Sequence, residues 1–75
     1  MRVFITGGTG LVGRKLAQAA IEAGHEVLVL SRSPQRAKSV LPAAAVVIEG
    51  TPAQAGPWQE SAAACDAVVN LAGEN

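Results

Sequence analysis

The chain has 75 residues, zero net charge with His25 neutral, and a hydrophobic share of 49%. That length holds at most one small domain, and that composition excludes a disordered chain. Charge balance argues against a strongly electrostatic nucleic-acid binder, and a single cysteine excludes an intramolecular disulfide or a multi-cysteine metal cage.

Val3, Phe4 and Ile5 form a continuous apolar run, suited to a strand covered on both faces. The octet Thr6-Gly7-Gly8-Thr9-Gly10-Leu11-Val12-Gly13 follows. Its glycines are spaced GxxGxxG, between a predicted strand and a predicted helix, the context a dinucleotide-binding turn requires. One glycine permits the tight turn, another lets main chain approach a pyrophosphate, and a third lets helix and strand pack closely. The first-turn N–H groups near Leu11 and Val12 would then face the phosphates at the positive end of the helix dipole. A plain strand-to-helix turn is the alternative for the octet alone. A P-loop is disfavoured, because Gly8 and Gly13 are followed by Arg14, Lys15 and Leu16 rather than by Lys and a hydroxyl residue.

From residue 11 to 23 the apolar positions Val12, Leu16, Ala19, Ala20 and Ala23 recur at helical spacing, while Arg14, Gln18 and Glu22 step along another face. Gly24 is placed to end the helix in a left-handed conformation. Arg14 and Lys15, near the helix N-terminus, read as a solvated face. His25 reads as an exposed connector, with no second ligand to make it a metal site. Residues 26–30 read as a second strand, Ser33 as an N-cap and Pro34 as the first residue of a second helix. That helix carries a narrow apolar stripe of Ala37, Val40 and Leu41 and stops at Pro42. Residues 45–48 read as a third strand and 53–56 as a loop. Pro57 would open a short alanine-rich helix through residue 64. Trp58 reads as a packing residue over the sheet, and Cys65 as a small buried one. Residues 66–71 make a fourth strand.

The order βαβαβαβ implies a Rossmann-type, doubly wound parallel α/β sheet with right-handed crossovers and strand order 3-2-1-4. Its ligand crevice opens between the first and fourth strands, outside their carboxyl ends, with the glycine turn on one side and Asn70, Leu71, Ala72 and Gly73 on the other. In this fold an acidic residue about twenty residues beyond the glycines holds the ribose hydroxyls of NAD, and an arginine there accommodates the 2′-phosphate of NADP. Ser31 and Arg32 occupy that position, with Arg36 one helical turn on and no Asp or Glu between Val27 and Ile48. NADP is therefore the expected cofactor.

The octet resembles the TGxxGxxG signature of extended short-chain dehydrogenase/reductases, the NAD-dependent epimerase/dehydratase superfamily. Ser31-Arg32-Ser33-Pro34 and the closing Asn70-Leu71-Ala72-Gly73-Glu74-Asn75 narrow the resemblance to an atypical subgroup described as nucleoside-diphosphate-sugar epimerases. The resemblance implies an NADP(H)-linked oxidoreductase or epimerase whose tyrosine and lysine, in a YxxxK motif, transfer protons beside the nicotinamide. This sequence has no tyrosine, so no catalytic residue is carried over. An acidic residue that contacts adenine in many members is also missing, since Gly50 is followed by Thr51.

Residues 1–75 are accordingly expected to be the N-terminal portion of a dinucleotide-binding domain, cut short of its catalytic segment. A non-catalytic NADP-binding sensor or regulatory module is the alternative. No apolar run approaches the roughly 18 residues of a membrane span, and no signal peptide is visible, which suggests a cytoplasmic protein without a membrane or nucleic-acid partner. An uncovered fourth strand is expected to expose an apolar edge and favour self-association.

Overall fold

A computed structural model describes residues 1–7 and 10–71. The chain order is β1 (Arg2–Thr6), α1 (Leu11–Glu22), β2 (Glu26–Ser31), α2 (Pro34–Val40), β3 (Val46–Glu49), α3 (Trp58–Ala63) and β4 (Ala67–Asn70). All strand pairs are parallel, in the expected order β3-β2-β1-β4.

The apolar run of β1 explains its central place. Side chains alternate across a strand, so Val3 and Ile5 face one side and Phe4 the other. Phe4 and Ile5 have no exposed surface, and Val3 keeps only 8%. On the Ile5 face, Val27 and Val29 of β2 join Ala17 of α1, Ala37 of α2 and Leu41 in one buried cluster. On the opposite face Trp58 stacks on Phe4, with ring centroids 6.1 Å apart and planes inclined by 23°. The indole Nε1–H donates to the Gln54 carbonyl at 2.9 Å, so Trp58 packs over the sheet with its polar edge satisfied. A Cβ on Gly50 would stand 2.7 Å from the Trp58 ring and 2.9 Å from Leu30, so that position has room only for glycine.

Helix α1 buries a different face from the one expected. Gly13 and Ala17 are buried and Leu16, Ala20 and Ile21 half-buried, whereas Val12, Ala19 and Ala23 are exposed. The helix is alanine-rich on nearly every side, so apolar periodicity alone leaves its rotation open. Packing turns the smallest residues toward the sheet, where they allow close approach, and sends Val12 outward. Gln18 and Glu22 lie on the outer face as expected, the amide donating to the carboxylate at 2.8 Å.

The end of α1 follows a Schellman arrangement. Gly24 N–H donates to the Ile21 carbonyl and His25 N–H to that of Ala20, each at 3.0 Å, with Gly24 at φ +90°. His25 itself is half-buried rather than exposed, because this turn folds it back against the helix end.

In α2, Ala37 is buried and Leu41 follows it into the core, but Val40 is 39% exposed and leaves the apolar stripe two residues wide. Ser33 stands at the N-cap without a side-chain capping bond; its N–H instead donates to Ser31 Oγ at 3.1 Å. Cys65 is half-buried and its Sγ–H donates to the Ser61 carbonyl at 3.3 Å; partial burial pushes the thiol above its ordinary pKa.

At the amino edge of the sheet Arg2 ties three strands. Its N–H donates to Asp66 at 2.7 Å, its carbonyl accepts from the Asp66 N–H at 2.8 Å, and its guanidinium Nε pairs with Glu26 at 2.8 Å. The pair with Glu26 raises the Arg2 pKa, chiefly through its hydrogen bond, yet it is solvent-exposed and adds little stability.

Replacing Gly24 by alanine isolates the backbone requirement, since an added Cβ meets no atom within 4 Å. The substitution is expected to cost about 1 kcal/mol through the left-handed φ alone. Urea denaturation checks this; an unchanged midpoint would contradict it.

Candidate nucleotide site at the carboxyl edge

Parallel register sets the carboxyl edge of the sheet. Thr6 of β1 lies level with Leu30 of β2 and Asn70 of β4. Gly7 therefore leaves β1 where β2 reaches Ser31 and β4 gives way to Leu71. The Thr6 hydroxyl, on a side chain only 5% exposed, donates to Asn70 Oδ1 at 2.6 Å. Leu71 N–H donates to the Thr6 carbonyl at 2.9 Å and extends the ladder one residue past β4. These two bonds hold the ends of β1 and β4 together, on the two sides of the expected crevice.

Gly7 takes φ +76°, a conformation that needs glycine and reverses the chain out of the strand. Gly10 N–H closes back on the Gly7 carbonyl at 3.4 Å, and Gly10 then caps α1 with extended backbone and no side-chain capping bond. The first bond of α1 runs from Arg14 N–H to the Gly10 carbonyl at 2.9 Å. The N–H groups of Leu11, Val12 and Gly13 belong to the open first turn. No acidic residue occupies that turn, and the Leu11 and Val12 side chains stand in solvent. Gly13 is buried beneath them. Such a turn is suited to an anion, because free donors and the helix dipole act together.

At the tip of β2, Ser31 is half-buried. Its Oγ accepts the Ser33 N–H and its carbonyl accepts the Gly50 N–H at 3.0 Å, so the hydroxyl still has its own proton to donate. Arg32 and Arg36 are exposed beyond it. Thr6, Gly7, Gly10, Leu11, Ser31 and Asn70 are thus brought to one edge. The expected site positions Gly8, Thr9, Ala72 and Gly73, and with them the closing Glu74-Asn75, lie outside the described residues.

Two features of this edge escaped the sequence. Glu49 ends β3 in register with Ser31, so an exposed carboxylate stands one strand away from the arginine tip. No spacing rule links positions 31 and 49; only strand pairing does. Arg14, read as solvated, is half-buried, and its Nε has neither accessible surface nor a hydrogen-bond partner. Among the described residues no three His, Cys, Asp or Glu side chains gather as a metal site. No helix there is long and apolar enough to cross a membrane.

The profile of the NAD dependent epimerase/dehydratase family matches residues 3–75. The chain belongs to that family. A crystal structure of a protein from Lactobacillus casei superposes on it with a TM-score of 0.81 at 31% identity, over 93% of this chain and 32% of that one. The structure of human epimerase family protein SDR39U1 with NADPH matches at 42% identity and a TM-score of 0.61, over the whole of this chain and 21% of that one. A ketoreductase of Stigmatella aurantiaca, acting on 4-hydroxy-2-methyl-3-oxo-4-farnesyl-3,4-dihydroquinoline-1-oxide by its name, is 38% identical over 96% of this chain and 22% of its own. Against the curated human SDR39U1 protein and two further relatives, from Schizosaccharomyces pombe and Arabidopsis thaliana, the chain spans 21 to 24% of their length.

The Thr6–Asn70 bond can be tested by Thr6→Val, which keeps the shape and removes the donor. A loss of about 1 kcal/mol is expected in thermal or urea unfolding, the net worth of one hydrogen bond. Unchanged stability would show that the bond adds nothing to holding β4.

Proposed function

We propose that residues 1–75 form the NADP(H)-binding portion of a cytoplasmic short-chain-type oxidoreductase or nucleotide-sugar epimerase. In this proposal residues 1–75 are the N-terminal part of its dinucleotide-binding domain. The observation that carries the cofactor choice is the tip of β2, where Ser31 ends the strand and Arg32 and Arg36 stand beyond it, with no carboxylate in their own segment. The NADPH in the human relative's structure supports the same choice.

The diphosphate would lie on Thr6 and residues 7–13, held by the open N–H groups of the first turn and by main chain that passes close where glycine leaves room. Arg32 would grip the 2′-phosphate through its planar fork, with the Ser31 hydroxyl donating beside it and Arg36 adding a second charge. Asn70, Leu71, Ala72 and Gly73 would wall the opposite side. The dinucleotide supplies hydride chemistry when bound; these residues bind and orient it. Glu49 opposes the 2′-phosphate from the neighbouring strand, which makes the arginines decisive for the balance between NADP and NAD.

Equilibrium binding of NADPH and NADH to the chain and to Arg32→Ala tests this. NADPH is expected to bind more tightly, and Arg32→Ala to weaken NADPH about 10- to 100-fold while leaving NADH nearly unchanged, as suits the loss of a charge-assisted hydrogen-bond pair. Equal affinity of the unsubstituted chain for both nucleotides would remove the assignment to NADP.

The same chain would self-associate through β4. That strand pairs only with β1 among the described strands, and its Val68 is 57% exposed. Sedimentation velocity should show a concentration-dependent dimer that Val68→Lys returns to monomer. A monomer at every concentration would contradict this.

A further inference from the structure

The two faces of the sheet are covered unequally. Strand register sets Val46, Leu28, Phe4 and Val68 in one row across it. Trp58 stacks on Phe4 within that row, but α3 has only six residues and none of them is buried. Val46 and Val68, at the two ends of the row, are each more than half exposed. On the opposite face α1 and α2 cover the sheet and carry apolar surface of their own. Leu11 is more than half exposed and Val40 is exposed. Both line a groove of about 490 Å³ between the two helices, together with Lys15, Leu41 and Pro42.

Charge divides along the same line. Residues 1–38 hold all six Lys and Arg and two acids, Glu22 and Glu26, whereas residues 39–75 hold four acids and no Lys or Arg. The zero net charge is thus +4 on the first segment against −4 on the second. Arg14, Lys15, Arg36 and Lys38 belong to α1 and α2, where Glu22 and, at the end of β3, Glu49 offset only part of their charge. On the side of Trp58, Arg2 is already paired with Glu26 at 2.8 Å, which leaves Glu60 on α3 and Asp66 at the entry to β4.

A twofold contact joins a surface to itself, so it would set one of these sides against its own sign. A head-to-tail contact joins opposite signs and covers exposed valines with apolar side chains.

We propose that the chain self-associates head to tail, with the Val46 and Val68 side of one copy seated on the groove between α1 and α2 of the next. This rests on self-association through β4 and names the surface that receives that strand. Val68 enters the apolar wall of Leu11, Val40, Leu41 and Pro42, while Glu60 and Asp66 approach Lys15 and Lys38. Each dimer keeps one face of each kind open, so the dimer is the first member of a series that grows with concentration.

Sedimentation velocity tests this on the chain, on Lys15→Glu and on Val68→Lys. The unsubstituted chain is expected to form species larger than a dimer, and its dissociation constant to rise about 10-fold between low salt and roughly 0.5 M sodium chloride, as suits screened surface charges. Each variant alone is expected to stay monomeric, because each lacks one of the two faces. Mixed in equal amounts, they are expected to form a 1:1 heterodimer and nothing larger, since the intact valine side of Lys15→Glu meets the intact groove of Val68→Lys. Formation of that heterodimer also shows that both variants are folded. Lys38→Glu and Val46→Lys repeat the experiment if circular dichroism shows either first variant unfolded. A dimer that persists in Lys15→Glu, with no heterodimer in the mixture, means that β4 pairs with β4; it overturns this inference and leaves self-association through β4 standing. A monomer at every concentration overturns both.

Discussion

β1 hydrogen-bonds to β2 on one side and to β4 on the other, and packed side chains cover both of its faces. Every other element is placed by that strand. Its odd positions gather α1 and α2 through Ala17, Ala37 and Leu41, and its even position, Phe4, gathers α3 through Trp58. Its parallel register brings Thr6, Leu30 and Asn70 to the same level, so three chain segments leave the sheet along one edge. A continuous apolar run in the middle of a parallel sheet is thus also the device that assembles the candidate site.

The two ends of β1 are treated differently. At the amino edge Arg2 bonds to Asp66 and Glu26, closing the edge with polar groups that satisfy one another. At the carboxyl edge the chain turns through Gly7 at positive φ and enters α1 with its first-turn donors open. In the proposed reading, binding capacity resides at the edge where the first-turn donors of α1 have no side-chain cap among the described residues. The Thr6–Asn70 bond is a side-chain tie across this edge to which both strands contribute, and it holds the ends of β1 and β4 together.

Family membership and geometry support each other here without being the same statement. The family profile covers nearly the whole chain, whereas the chain covers only a fifth to a quarter of its curated relatives. What this chain offers, in the proposed reading, is recognition of an anion by main chain and guanidinium groups. It holds no tyrosine to pair with a lysine for proton transfer. Chemistry at a nicotinamide, in the proposed reading, belongs to the longer protein.

The fold was legible in the sequence because its signals are local. Apolar runs marked the strands, Gly24 marked the end of α1, Pro34 and Pro42 bracketed α2, and the βαβ alternation implied the strand order. The glycine turn and the arginines at the β2 tip were legible for the same reason, since each lies within a few residues of a recognisable strand end. What only the tertiary structure decided depended on neighbours far apart in the chain. The rotation of α1 was undecided among so many alanines until Gly13 and Ala17 met the sheet. Glu49 came beside Ser31 through strand pairing, and Thr6 met Asn70 across 64 positions. Arg14 changed from a solvated charge to a half-buried one whose Nε is closed off without a partner, which no pattern within α1 encodes.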